Sequence, residues 1–171
     1  MSMHSSQQRK MPETREEAVS LIEAYLEVPR VLERMHRRFL DILQGQLTQM
    51  GVTDLTPVQM FMLLDIGEDE ISLQDLINRG HYQRSNALNN TKKLIETGHF
   101  EQSRSANDRR TVRLKLTPKA LVVCTEIRRQ QHALAETLSN HDVNPAEMTV
   151  TRQALRRLER SWDEYLRYGG F

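Results

Sequence analysis

Residues 83–116 read QRSNALNNTKKLIETGHFEQSRSANDRRTVRLKL, and the fold turns on this stretch. In its first half Ala87, Leu88, Thr91, Leu94 and Ile95 fall at i, i+1, i+4, i+7 and i+8, the spacing of a helix face turned toward a body. Gly98 supplies the stop. Residues 100–103 and 111–116 then alternate or carry branched side chains around a polar, arginine-rich turn, the pattern of a β-hairpin. Just upstream, Ser72 and Asp75 open a shorter helix through Leu73, Leu76 and Ile77, closed by Gly80. Two short helices joined by a tight turn and followed by a hairpin predict a winged helix-turn-helix.

Working outward, the flanks read as helix. Thr14 and Glu17 make a capping box, in which hydroxyl and carboxylate satisfy amide donors that the first turn leaves orphaned. Val19, Ile22 and Leu26, then Val31, Leu32, Met35, Phe39, Ile42 and Leu43, form one apolar stripe over residues 14–50. Pro29 interrupts it, because proline removes a backbone donor and crowds the preceding turn. Either one helix kinks there or two helices meet in a bent arrangement, and the second is the expectation. Thr56-Pro57-x-Gln59 starts another helix, with Gly67 as its stop. On the far side Thr117-Pro118 restarts helix, residues 121–138 carry a long stripe, residues 140–145 break it, and a last helix is expected over 149–165 with Leu155, Leu158, Trp162 and Leu166 on one side.

The predicted fold class is therefore mainly α with a small β-hairpin wing: a winged helix-turn-helix flanked by N- and C-terminal dimerisation helices. The expected division is 1–54, an N-terminal helical dimerisation segment; 55–118, the winged domain; and 119–171, C-terminal dimerisation helices. The stripes of the first and last long helices exceed what one small core should cover, which predicts a second copy about a two-fold axis.

The chain has 171 residues, 24 basic and 23 acidic, for a net charge of +1. A uniformly basic coat is excluded, but a local one is present: residues 78–119 hold ten basic and three acidic residues, a net of +7, leaving the remainder at −6. One polyanion-facing surface on an otherwise repelling body fits that distribution; a solvated charged face is the plain alternative. No stretch approaches the roughly 18 consecutive apolar residues of a membrane span, and residues 1–10 lack the apolar core of a signal peptide, so a cytoplasmic protein without membrane partners is expected. A single cysteine, Cys124, excludes an internal disulfide framework and a thiolate zinc cluster. The six histidines, His4, His36, His81, His99, His132 and His141, show no ligand spacing, so no metal and no cofactor are expected. With no phosphate-binding glycine loop and no nucleophile–base signature, the chain does not read as an enzyme.

The helix over residues 83–97 carries the chemistry. Asn86, Asn89, Asn90 and Lys93 share a face, with Arg84 and Ser85 at its N-terminal end. Asparagine bonds adenine bidentately and arginine bonds guanine likewise, so these six residues are the candidate contacts to double-stranded DNA. Three asparagines are poor choices for a helix without a task, though a solvated face explains them too. In the hairpin turn Arg104, Asp108, Arg109 and Arg110 suit phosphate clamping or minor-groove insertion. A winged helix used only for protein contact is the rival reading; it would not need arginines in the wing opposite an asparagine-bearing helix.

The run Asp108-Arg109-Arg110-Thr111-Val112-Arg113-Leu114-Lys115-Leu116-Thr117-Pro118-Lys119 resembles the wing signature of MarR-family transcription regulators. Leu94-x-x-x-Gly98 and Leu55-Thr56-x-x-Gln59 are similar to the same family at suitable spacing. The resemblance covers residues 55–120 well, and the terminal helices agree in order more than in residues. It departs at Ala120, where the family usually has glycine, at Gln102, where a basic residue is frequent, and at residues 81–86, which lack the common serine- and threonine-rich helix entry. What the resemblance implies is a homodimer joined through the terminal helices, a pseudo-palindromic operator, and frequent release by a small molecule or an oxidant, with repressor and activator both open as the output. It also implies that Asp108 and Arg110 match the family's wing pair, in which the acid and the arginine orient the turn. An effector cleft beside the dimer interface would fall near His36 and Phe39, residues that core packing explains equally well. Cys124 could serve as an oxidant sensor, but its setting in Val122-Val123-Cys124 favours a small buried hydrophobe.

Overall fold

The computed structural model describes residues 15–67, 70–80, 82–104, 112–141 and 143–169. The Thr14 cap, His4, His81 and the wing residues Asp108, Arg109 and Arg110 lie outside them. The elements run α1 (Arg15–Gln49), α2 (Pro57–Ile66), β1 (Ile71–Ser72), α3 (Leu73–Gly80), α4 (Arg84–Glu96), β2 (Phe100–Arg104), β3 (Val112–Leu116), α5 (Pro118–Thr137), a 3-10 turn (Leu138–His141) and α6 (Pro145–Tyr168). Among the described residues no helix is long and apolar enough to cross a membrane.

Three helices begin on one device, a capping side chain followed by proline. Proline has no amide hydrogen to orphan in the first turn, and the cap satisfies a neighbour's. At α2 the Gln59 N–H donates to Thr56 Oγ1 at 3.2 Å while the Thr56 N–H donates to Gln59 Oε1 at 3.0 Å. Thr117 caps α5 through the Ala120 N–H at 3.2 Å, and Asn144 caps α6 with Glu147 in a second reciprocal box. The Asn144-Pro145 start moves α6 one turn earlier than the expected residue 149 and carries it to Tyr168. Replacing Thr56 with alanine should lower stability by about 1 kcal/mol, read as an earlier urea midpoint with unchanged slope; an unmoved midpoint would mean the box holds nothing.

One expectation needs correction. α1 is one helix through Pro29, not two. The proline sits in phase with the apolar stripe (Ile22, Leu26, Pro29, Leu32, Met35, Phe39), so the whole stripe stays on one side only if the helix continues, at the expense of one backbone bond. The expected hairpin of β2 and β3 is present, and β1 joins it in a three-stranded antiparallel sheet in the order β1-β3-β2, with Ile71 opposite Leu114 and Phe100 opposite Leu116. A strand of two residues offers no alternation to read.

The core lies in the middle of the chain. Leu43 and Leu47 of α1 meet Met60, Met62 and Leu63 of α2, Leu76 of α3, Leu94 of α4, Leu114 of β3 and Ile127 of α5, all fully buried. α6 contributes no buried residue. On the outer half of α1, Leu21, Ile22 and Leu26 are exposed, Leu26 by 61%.

Candidate nucleic-acid interface

The turn between α3 and α4 is held by Tyr82. Its main-chain N–H reaches the Ile77 carbonyl at 3.2 Å and its phenol donates to Asp65 Oδ2 at 2.7 Å, tying the turn to the end of α2. Burial, and then the Asp65 carboxylate, push the phenol's pKa far above its usual value, so it stays a donor. Gly80 makes room for the ring: a Cβ there would lie 1.9 Å from Tyr82 Cε2. Across the turn Arg84 Nη1 donates to Gln74 Oε1 at 3.0 Å, joining the first turns of α3 and α4.

α4 then presents two faces. Ala87, Thr91 and Leu94 are buried against the core, with Ile95 half-buried beside them. Arg84, Ser85, Asn86, Asn89 and Lys93 are exposed, along with Lys92, which sits three residues beyond Asn89 and stands out in the sequence only as part of the charge count. Lys92 Nζ lies 3.8 Å from Glu96 Oε1, a solvent-exposed pair of little energetic weight. Asn90 differs from its neighbours: it is half-buried, and its amide donates to the Asn86 carbonyl at 3.0 Å. Leu88, expected to face the body, is 45% exposed. Position i+1 lies at the edge of the buried arc, and the core closes without it. Gln83 makes no side-chain bond to the first turn, which leaves the amides of that turn for an anion such as a DNA phosphate.

The far end of α4 is bound to two other elements. The Gly98 N–H donates to the Ile95 carbonyl at 3.0 Å and the His99 N–H to Leu94 at 2.8 Å, a closure that needs the positive φ of Gly98, 72°. The Thr117 hydroxyl donates to the Gly98 carbonyl at 2.8 Å, and the Thr117 N–H to the His99 carbonyl at 3.1 Å. The His99 ring is fully buried, with Nε2 3.1 Å from Asp54 Oδ2. The same oxygen accepts from Lys119 Nζ at 2.5 Å, and Lys119 also donates to the Thr97 carbonyl at 2.9 Å.

At the wing stem Glu70, just ahead of β1, accepts from Ser103 Oγ at 2.5 Å and lies 3.8 Å from Arg113 Nη1. Ser103 and Arg113 are cross-strand partners, so one carboxylate pins both strands. The main chain of Arg104 pairs with Val112 at the last rung before the turn.

The remaining candidate residues are apart from this surface. His36 is exposed on α1, and Phe39 packs edge-on against Phe61 of α2, with ring centres 5.6 Å apart. Cys124 is fully buried and its thiol is pushed up to about 11 by burial, which suppresses the thiolate that oxidation requires.

A family model described as a winged helix DNA-binding domain matches residues 55–120. The exopolysaccharide II synthesis transcriptional activator ExpG of Rhizobium meliloti is 37% identical over 145 residues, covering 85% of this chain and 75% of that protein. Among solved structures, the transcriptional regulator BldR of Sulfolobus solfataricus is similar with a TM-score of 0.65 at 23% identity, over 81% of this chain and 97% of that one. A mutant MarR of E. coli complexed with operator DNA gives a TM-score of 0.65 at 16% identity, again over 81% and 97%.

Proposed function

The chain belongs to the MarR family of winged helix-turn-helix transcription regulators and is a DNA-binding regulator; on that premise we propose that it reads a pseudo-palindromic operator as a homodimer. One observation carries the reading: α4 buries Ala87, Thr91 and Leu94 in the core and turns Arg84, Ser85, Asn86, Asn89 and Lys93 outward as a polar row. A helix so mounted can enter a major groove without disturbing the core beneath it. Asn86 and Asn89 take the base edges, Arg84 and Ser85 sit nearest the first-turn amides, and Lys93 meets phosphate. Asn90, its amide already engaged, contributes least. In the wing Arg104, Arg109 and Arg110 contact the backbone or minor groove, and Asp108 orders the turn.

The dimer is supported by unpartnered apolar surface. α6 runs beside the outer half of α1, with Trp162 Nε1 donating to Tyr25 Oη at 3.1 Å, and a groove of about 680 Å³ between them is lined by Leu32, Met35, Leu155, Leu158, Trp162 and Leu166. Leu166 is 74% exposed. A second copy about a two-fold axis covers this surface and sets two α4 helices side by side. In this scheme residues 1–54 and 119–171 serve assembly and 55–118 serve DNA, with the inner ends of α1 and α5 shared by the common core. Release by a small-molecule effector belongs to the same proposal, with the region of His36 and Phe39 as its place, between the assembly helices and the head. ExpG is named as an activator, so the sign of regulation is assigned to operator position and not to repression alone.

The test is a gel shift on the DNA upstream of the protein's own gene against random duplex at matched salt. Specific binding about a thousandfold tighter or more is expected; equal binding would favour the protein-contact reading. For the wing, Arg109→Ala should make the slope of log affinity against log salt shallower by about 1.8, at roughly 0.9 per phosphate and one contact in each half-site. An unchanged slope would leave the wing a solvated turn.

A further inference from the structure

We infer that Asp54, His99 and Lys119 are positioning residues: together they form a joint that fixes the tilt of α4 against α1 and α5, and operator affinity depends on that joint from the end of α4 opposite Arg84, Ser85 and Asn86. The inference rests on the operator reading above.

The bonds from the Thr117 hydroxyl to the Gly98 carbonyl and from the Thr117 N–H to the His99 carbonyl tie α4 to α5. Asp54 adds the tie to the loop between α1 and α2, because its Oδ2 accepts from both His99 Nε2 and Lys119 Nζ. Lys119 closes the circuit on the Thr97 carbonyl, where a cation also suits the negative end of the helix dipole. The geometry gives this joint leverage. α4 has 13 residues, so at about 1.5 Å per residue a tilt of about 5° at the joint moves the first turn by roughly 1.7 Å. A base-edge hydrogen bond, made within about 2.7–3.2 Å, does not survive that displacement.

The joint also has a preferred protonation state. Oδ2 of Asp54 accepts, so Nε2 carries the imidazole proton, and the buried Nδ1 has no partner among the described residues. A second proton would place an unpartnered N–H in the interior. Burial lowers the His99 pKa; Asp54 opposes this and Lys119 adds to it, and no other charged side chain among the described residues acts on the ring. The Asp54 carboxyl is lowered, chiefly by the hydrogen bond from Lys119. A folded-state pKa below the ordinary 6.5 means that the unfolded chain takes up the proton first. The joint's contribution is therefore complete above about pH 6.5 and is lost as the pH falls toward the folded value. Acid should tighten binding to any DNA by adding positive charge, so the joint is read in the ratio of operator to random affinity and not in either alone.

The experiment uses the full chain and two readouts. In hydrogen–deuterium exchange without DNA, Asp54→Asn should speed exchange both in residues 94–100 and in the α1–α2 loop, while Lys119→Arg, which keeps the charge, stays near wild type. In gel shifts Asp54→Asn should lower operator affinity about tenfold, the loss of a charged hydrogen bond, with random-DNA affinity and salt slope unchanged. The wild-type ratio should hold above about pH 6.5 and drop as the pH falls below it, and His99→Gln, which cannot titrate, should flatten that profile. Unaltered exchange in Asp54→Asn overturns the joint whatever the DNA result, and altered exchange with an unchanged operator ratio overturns its role in positioning. A wild-type protein with no operator preference defeats the operator reading instead, and leaves the exchange result to decide the joint.

Discussion

With Leu155 and Leu166 both replaced by glutamate, the protein should sediment as a monomer at micromolar concentration and lose at least about a hundredfold in operator affinity. The two side chains line the groove between α1 and α6, and neither belongs to the core of the winged head. In the proposed dimer each substitution occurs twice, so four carboxylates would have to be desolvated without partners. Losing the second head removes the intramolecular second binding event, whose advantage is about 10²–10⁴. The helical content should hold, since α6 contributes no buried residue. A variant that stays dimeric, or a monomer that binds the operator at full strength, would count against the assembly proposed.

The second large effect concerns sequence reading. Replacing Asn86 and Asn89 together by alanine should reduce the preference for operator over random DNA on the order of a thousandfold. Each bidentate contact discriminates by roughly 1–3 kcal/mol, and a dimer makes four of them. Random-DNA affinity should change little, because phosphate contacts carry no sequence information. Asn90→Ala is the internal control: its amide is already given to the Asn86 carbonyl, so its removal should move the preference far less. Equal weakening on both DNAs would assign the asparagines to the backbone.

Much of this was legible in the sequence where the physics is local. The caps at Thr56 and Thr117, the stops at Gly67, Gly80 and Gly98, and the buried row of α4 depend on residues within a turn or two of each other. Their spacing therefore carries the signal. Asn144-Pro145 uses the same device but reads as a break, because the polar run before it has the composition of a loop. Pro29 is the opposite case: its local penalty points to a break, while the in-phase stripe on both sides of it keeps the helix whole. Leu88 shows that periodicity gives the centre of a buried arc better than its edges. The links that set the orientation of α4 were beyond reach. Asp54 is 45 residues from His99 and 65 from Lys119, and Tyr82 is 17 from Asp65. Only the folded chain brings such pairs together, and each residue alone has an ordinary surface explanation. The wing arginines remain known from sequence and resemblance, as Arg109 and Arg110 lie outside the described residues.

The central claim is that two copies of α4, held by a two-fold pair of assembly helices, read two half-sites. Selection of bound duplexes from a random-sequence library, followed by sequencing, tests it most directly. The account predicts an enriched inverted repeat whose half-sites lie one helical turn apart, about 10–10.5 base pairs centre to centre, and the loss of that motif in Asn86→Ala/Asn89→Ala. A single unrepeated half-site, or no enrichment from a protein that binds duplex DNA, would contradict it.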